Sequence, residues 1–340
     1  MKINYSTLRK ALLVLCAGVI GATAARADTY SWTNLQSDIA GVAQQTDPNL
    51  VNAWGMAASS NGTIWVSDNG PGVSTLYNQQ GIANPLIVTI PAKEHNHTGT
   101  PSGVVFNSTN SFPVSKNGVS QPSRFIFVSE DGVISGWNPA LDGTNALVAV
   151  QGNGHTVYKG VTLGVANGHN FLYATNFHEA RVDVYDENFH AVNTHGFSDP
   201  SLPHNFAPFG VRNFNGEIFV TYAKQAPGKH DDQAGPGNGF INVFDTSGNL
   251  LRRLVSHGNL NSPWGMAMIE GELWVGNFGD GKINNYDPTD GHFIETLMRA
   301  DGTPLQFDGL WDLLPLGTGV YFTAGIADEA HGLFGLITED

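Results

Sequence analysis

The chain has 340 residues, 41 of them glycine, and only 14% carry charge, a balance that excludes coiled coils, long helical arrays and highly charged disordered segments. Thirty Asp plus Glu against 16 Lys plus Arg leave a formal charge of −14. A surface this acidic repels phosphate backbones and anionic lipid, so nucleic acid is not an expected partner.

Residues 1–27 read as an export signal. Lys2, Arg9 and Lys10 precede an apolar stretch from Ala11 to Ala25, and Ala25-Arg26-Ala27 supplies small residues at the −3 and −1 positions of a cleavage site. The stretch is too short and glycine-bearing to span a membrane, and no later segment reaches the roughly 20 apolar residues that a span needs. Cleavage after Ala27 removes four basic and no acidic residues, taking the balance from −14 to −18. It also removes Cys16, the one cysteine, and with it any disulfide, thiolate metal site or cysteine nucleophile. The expectation is a secreted or periplasmic monomer without a membrane span, with residues 28–340 forming one domain.

A first strand, over residues 29–39, precedes an internal repeat. Trp54-Gly55-Met56-Ala57, Asn61-Gly62 and Ile64-Trp65-Val66-Ser67-Asp68-Asn69 return as Trp264-Gly265-Met266-Ala267, Glu270-Gly271 and Leu273-Trp274-Val275-Gly276-Asn277. Looser copies begin at Ser102-Gly103-Val104, Lys159-Gly160-Val161, Phe209-Gly210-Val211 and Leu310-Trp311-Asp312. The anchors at positions 55, 103, 160, 210, 265 and 311 are 48, 57, 50, 55 and 46 residues apart, close to the period of a four-stranded propeller blade. Within each copy, short β-branched and aromatic runs alternate with glycine-bearing turns, the chemistry of antiparallel hairpins. A lone four-stranded sheet exposes two faces and two edges, so the copies must stack around an axis. The predicted fold is therefore all-β: a six-bladed β-propeller of four-stranded antiparallel blades. The N-terminal strand is predicted to close the ring in the last blade, which ends near Ile337 without an outer strand of its own.

Four further strings carry a resemblance. They are Asp47-Pro48-Asn49-Leu50-Val51-Asn52, the run from Phe125 to Asn138, Lys229-His230-Asp231-Asp232 with Gly235-Pro236-Gly237-Asn238-Gly239-Phe240, and Asp328-Glu329-Ala330-His331-Gly332-Leu333-Phe334-Gly335. Together they resemble a bacterial family of exported, functionally uncharacterised six-bladed propellers, some with a C-terminal PEP-type sorting anchor. This chain ends at Asp340 with no hydrophobic tail, which under that resemblance implies release into the periplasm or medium. The blade pattern is also similar to NHL-repeat proteins and to calcium-dependent lactonases of the gluconolactonase and paraoxonase type, a likeness of architecture that lends activity only by analogy.

Propeller geometry sorts residues by face. With Trp54 to Ala57 innermost, the connections leading into inner strands and the loops leaving second strands emerge on one rim. The second-strand exits carry Asp68-Asn69, Glu130-Asp131, Asn176 to Glu179, Tyr222 to Lys224, Asn277 to Asp280 and the segment from Ala324 to His331. Converging carboxylates repel one another unless a cation or proton is supplied. The expected metal ligands are accordingly Asp68, Glu130, Asn176, Asn277 and Asp328, with calcium first and zinc or another transition metal second. Singly, Asp68-Asn69-Gly70, Asp131-Gly132 and Asp280-Gly281 also read as plain turn formers. Lys229-His230-Asp231-Asp232 and Asp328-Glu329-Ala330-His331 go further, because turn chemistry does not ask for histidine beside acids. His178, His230 and His331 are the candidate acids or bases. Candidate ligand contacts are Glu94, His95, His97, Lys224, Lys229, Asp231, Asp232 and Glu329. No nucleophile elbow, phosphate loop or dinucleotide fingerprint is present. Two functions fit this pattern: a propeller that binds a small molecule, glycan or envelope protein at the rim, or a metal-dependent hydrolase or lyase of lactone or ester type.

Overall fold

The computed structural model describes residues 28–94, 97–192 and 196–340, and among these residues every regular element is a β-strand. The chain begins with β1 (Tyr30–Ser37) and the short β2 (Gln45–Thr46) and then builds blade 1 from β3 (Ala53–Ala58), β4 (Ile64–Asp68), β5 (Val73–Tyr77) and β6 (Val88–Thr89). Blade 2 starts with β7 (Pro101–Phe106), is interrupted by the hairpin β8 (Pro113–Lys116) and β9 (Val119–Pro122), and continues as β10 (Phe125–Ser129), β11 (Val133–Trp137) and β12 (Leu147–Gln151). Blade 3 is β13 (Tyr158–Ala166), β14 (His169–Asn176), β15 (Arg181–Tyr185) and β16 (Ala191–Val192). Blade 4 is β17 (Phe206–Phe214), β18 (Glu217–Lys224), β19 (Gly239–Asp245) and β20 (Leu250–Ser256). Blade 5 is β21 (Pro263–Ile269), β22 (Glu272–Asn277), β23 (Ile283–Tyr286) and β24 (Phe293–Thr296).

Blade 6 has only β25 (Leu310–Leu316), β26 (Gly319–Ala324) and β27 (Leu333–Glu339) from the C-terminal segment, and β1 supplies the outer strand. The pairing is antiparallel, Tyr30 opposite Glu339 and Ser37 opposite Leu333. Ring closure by the N-terminal strand is thus as expected from the sequence. The segment 1–27, expected to be an export signal, and His95 lie outside the described residues.

Local chemistry explains the hairpins. Asn117-Gly118, Asn167-Gly168, Asn215-Gly216 and Glu270-Gly271 all have positive φ at both residues, the backbone of a tight turn whose twist matches the flanking strands. Between blades the apolar faces interlock: Trp65 of blade 1 stacks on Phe125 of blade 2 with centroids 3.9 Å apart, and Tyr30 meets Trp274 edge-on across the seam between blades 6 and 5. Such stacking buries the sheet faces that a single blade would leave wet.

The repeat's glycine has a steric cause. Every inner strand carries a bulge at this position, as the register skips from Ala53 to Met56 in β3 and from Pro263 to Met266 in β21. A Cβ on Gly55 would lie 2.7 Å from Ser102 O, one on Gly210 would lie 2.1 Å from Trp264 O, and one on Gly265 would lie 2.4 Å from Trp311 O. Adjacent inner strands therefore approach too closely for any side chain on that side. Threonines of the second strands clip the bulges: the Gly160 N–H donates to Thr175 Oγ1 at 2.7 Å, and that hydroxyl donates onward to Phe209 O of the next blade at 2.8 Å.

In blade 6 the equivalent position is Asp312, since Gly265 packs on Trp311 O, the Asp312 Cα and Leu313 N just as Gly55 packs on Ser102, Gly103 and Val104. The sixth anchor thus falls one residue beyond position 311. Asp312 is the single break in the glycine series. Its buried carboxylate accepts from Met56 N at 2.7 Å and Leu313 N at 2.8 Å, and from Arg212 Nη2 at 2.5 and 2.6 Å. The axial cavity between the inner strands is only about 10 Å³, space for at most one water. The axis is plugged by an ion pair, and ligand access is confined to the outer faces.

Candidate functional site

The residue just before each anchor forms a ring beneath one face: Trp54, Ser102, Lys159, Phe209, Trp264 and Trp311. The indoles make a floor. Trp311 stacks on Trp54 at 3.5 Å and on Phe278 at 4.1 Å, with Trp264 edge-on at 5.7 Å. Lys159 is the one charged member of this ring. Its ammonium lies 5.0 Å from the centre of Trp54 and 5.8 Å from that of Phe177, so the floor faces it with aromatic π clouds.

Hydrogen bonds join this floor into a circuit. Trp54 Nε1 donates to Asn52 Oδ1 at 3.0 Å, Asn52 Nδ2 to Asn69 Oδ1 at 3.4 Å, and Asn69 Nδ2 to Glu130 Oε2 at 2.8 Å. The other oxygen of Glu130 pairs with the Lys159 ammonium, which returns the circuit to Trp54. The Lys159 side chain is 3% exposed, and Asp231 Oδ1 lies 3.9 Å from its nitrogen. A buried ammonium is costly unless paired, and Glu130 supplies the pairing.

Two loops complete the mouth. The blade 4 insertion folds back on its own base, with Gln225 bridged to Asp232 and Gln225 Nε2 donating to Phe177 O at 2.6 Å. That fold brings the exposed His230 and Asp231 over Lys159, with His230 Nδ1 2.7 Å from Asp231 Oδ1. Burial pushes the Asp232 carboxyl above its ordinary range, opposed by the neighbouring Ser262 and by the Lys159 charge. Between β26 and β27, Ala327, Asp328 and Glu329 have φ of 56°, 53° and 64° in succession. Left-handed backbone costs L-residues roughly 1–2 kcal/mol each, and strain of this kind concentrates at functional loops. The turn leaves Asp328 exposed and carries Glu329 inward, where its stem and Asn52 Oδ1 both crowd Gly325. Burial raises the Glu329 carboxyl, and the charges of Glu130 and Asp232 add to the effect.

The structure separates the other expected residues. Asp68 is fully buried within blade 1, where its Oδ2 accepts from Thr75 N at 2.9 Å; burial holds its pKa well above the ordinary carboxylate value. Asn176 is spent on its own loop, donating to Glu179 at 2.7 Å and Asp183 at 2.9 Å. Asn277 does the same through Asn259 O at 2.8 Å and Asp280 at 3.1 Å. These amides act as loop pins, which is the turn chemistry also readable at those exits. His178 stacks on His155 at 5.2 Å, and His331 Nδ1 lies 2.6 Å from Asp38 Oδ2 at the outer edge of blade 6. Glu94, His97 and Lys229 are exposed, and Lys224 is half-buried at the end of β18.

Of the residues expected from the sequence, the mouth therefore gathers Glu130, His230, Asp231, Asp232 and Glu329, and adds Asn52, Asn69 and Lys159. The sequence alone does not single out Lys159, which stands in the strand-anchor segment Lys159-Gly160-Val161. The signal was present in the repeat, where a lysine replaces Trp or Phe at one position of a mostly aromatic ring.

Glu130, His230 and Asp231 have the spacing of a metal triad, one ligand atom of each lying within 4.8 Å of the others. An imidazole in the set suits a transition metal better than calcium, which takes six to eight oxygens. The donors do not fit an ion as they stand, however, because Lys159 already contacts Glu130 and approaches Asp231. An ion held by both carboxylates would share their space with a buried ammonium.

No protein-family profile matches the chain. Among solved structures it is similar to virginiamycin B lyase from Staphylococcus aureus, with a TM-score of 0.53 and 15% identity over 92% of this chain and 99% of that one. It is also similar to a gluconolactonase from Xanthomonas campestris, with a TM-score of 0.52 and 14% identity over 86% and 89% of the two chains. At such identities the likeness is one of fold. A relative in sequence is the uncharacterized protein L690 of Acanthamoeba polyphaga mimivirus, 32% identical over 322 residues that span 88% of this chain and 83% of the relative. The chain belongs to the same family of six-bladed propellers as that viral protein.

Proposed function

We propose that this protein is an exported propeller that binds a small polar ligand at the axial mouth formed by Lys159, Glu130, His230, Asp231 and Glu329. The observation that carries this reading is the buried Lys159, held between an aromatic floor and a hydrogen-bonded carboxylate beneath a folded-back loop. An ammonium has three donors, and among the described residues only Glu130 accepts one within hydrogen-bonding distance. The surrounding carboxylates disfavour an anion, so an uncharged oxygen acceptor, carbonyl or hydroxyl, is the complementary group. Export is proposed from the signal at 1–27. Among the described residues no helix is long and apolar enough to cross a membrane.

A thermal-shift screen against sugars, polyols, sugar lactones and neutral amino acids tests the reading. A hit should stabilise the wild type in a saturable way, and His230→Ala and Asp231→Asn should weaken it. Both side chains are exposed, at 52% and 73%, so their loss should leave the fold intact. Hits that survive both substitutions would place binding elsewhere.

The second reading, hydrolysis or elimination on a lactone or ester, is favoured by the His230–Asp231 pair. It is an imidazole oriented by a carboxylate, as a general base requires. The fold likeness to a lyase and a gluconolactonase agrees with it. Turnover of lactone or ester substrates that His230→Ala abolishes would support it, and a chelator arm would show whether a metal takes part.

A further inference from the structure

We infer that Lys159 is the resident cation of the axial site, its ammonium standing where a divalent ion would otherwise bridge Glu130 and Asp231. The inference rests on the axial mouth being the ligand site and deepens that reading by assigning its positive charge to the protein itself.

Three observations converge. First, the two carboxylates of the metal-like triad are the two that Lys159 approaches, in contact with Glu130 and 3.9 Å from Asp231 Oδ1. Second, the ammonium is held from below as well: Trp54 and Phe177 present their faces at 5.0 and 5.8 Å, a setting that suits a bound organic cation. A hydrated metal ion gains less from an aromatic floor than from oxygen ligands. Third, the second oxygen of Glu130 accepts from Asn69 Nδ2 at 2.8 Å, so each oxygen of this carboxylate already has a protein donor. The mouth gathers four carboxylates, Glu130, Asp231, Asp232 and Glu329, around this one ammonium. Removing its charge leaves that cluster uncompensated, and a divalent ion is the species best able to restore the balance.

Calorimetric titration with the chlorides of Mn²⁺, Zn²⁺ and Ca²⁺ tests this on the full chain. The wild type should show no saturable site up to about 1 mM ion, the weak end of natural calcium sites. Lys159→Met should acquire one site per chain, at least about tenfold tighter than any wild-type response, a gain of roughly 1.4 kcal/mol or more. Adding Glu130→Gln should abolish the new site. Lys159→Gln is a second neutral variant in case methionine prevents folding, while Lys159→Arg, which keeps the charge, should stay metal-free. A stoichiometric ion in the wild type that Glu130→Gln removes would overturn the inference. So would a folded neutral variant that gains no ion. Either result leaves the ligand-binding reading standing, because that is decided by the compound screen with His230→Ala and Asp231→Asn.

Discussion

Replacing Asp312 by Asn should destabilise the ring by several kcal/mol although nothing at the ligand mouth is touched. The carboxylate is 1% exposed and takes four hydrogen bonds: from Met56 N at 2.7 Å, from Leu313 N at 2.8 Å, and from Arg212 Nη2 at 2.5 and 2.6 Å. Asparagine keeps one acceptor oxygen and turns an amide nitrogen toward a donor. Removing one partner of a buried pair costs about 3–5 kcal/mol. Arg212 is 22% exposed and partly hydrated, which favours the lower end, about 3 kcal/mol. Unfolding entropy of about 2.1 cal/mol/K per residue over some 310 residues gives about 0.65 kcal/mol/K, so Tm should fall by roughly 5 °C. Scanning calorimetry of both proteins measures this directly. Arg212→Met combined with Asp312→Gly removes both charges and restores the glycine of the other five blades, and should recover at least half of the loss. A Tm within about 1 °C of wild type for Asp312→Asn would refute the reasoning, showing that the axial pair adds little to ring closure.

Gly210→Ala should cost about 3 kcal/mol, the upper end of overpacking, because its Cβ would lie 2.1 Å from a backbone carbonyl that cannot rotate away; urea unfolding gives the value. Asp68 predicts a pH dependence. Its folded pKa is raised by burial above the ordinary 3.8, so the folded state keeps a proton that the unfolded chain has released. Stability from this group is therefore full below about pH 4 and is lost as pH rises through the folded value. Asp68→Asn should be more stable than wild type at pH 7–8, with the gain shrinking toward pH 4, and a gain that grows on acidification would show that Asp68 is ionised in the fold.

The architecture was legible because it repeats. Trp54-Gly55-Met56-Ala57 and its copies state a steric demand, close approach of neighbouring inner strands, that only glycine meets. The missing outer strand of blade 6 likewise pointed to residues 29–39 as its source, and β1 is found there. The site was legible only in part. His230, Asp231 and Glu329 stood out because histidine beside acids, or acids within a blade interruption, exceed what turns require. Asp68, Asn176 and Asn277 sit at the same exits yet turn inward or pin their own loops, a choice set by side-chain rotamers and local amide donors that a linear pattern does not encode. Lys159 and Asp312 share another lesson. Each breaks its column of the repeat, lysine among aromatics and aspartate among glycines, and each proves to be a buried charge with a partner far along the chain. Departures from the repeat were more informative about chemistry than the repeat itself.

The location of the ligand site can be tested by soaking crystals of the protein with a library of small polar fragments. Ordered fragments should gather over the tryptophan floor within hydrogen-bonding distance of Lys159 or Glu130. The contrary result would be an empty axial mouth with fragments collected on the opposite face, in the cleft of about 550 Å³ between blades 5 and 6 lined by Tyr30, Glu272 and Trp274.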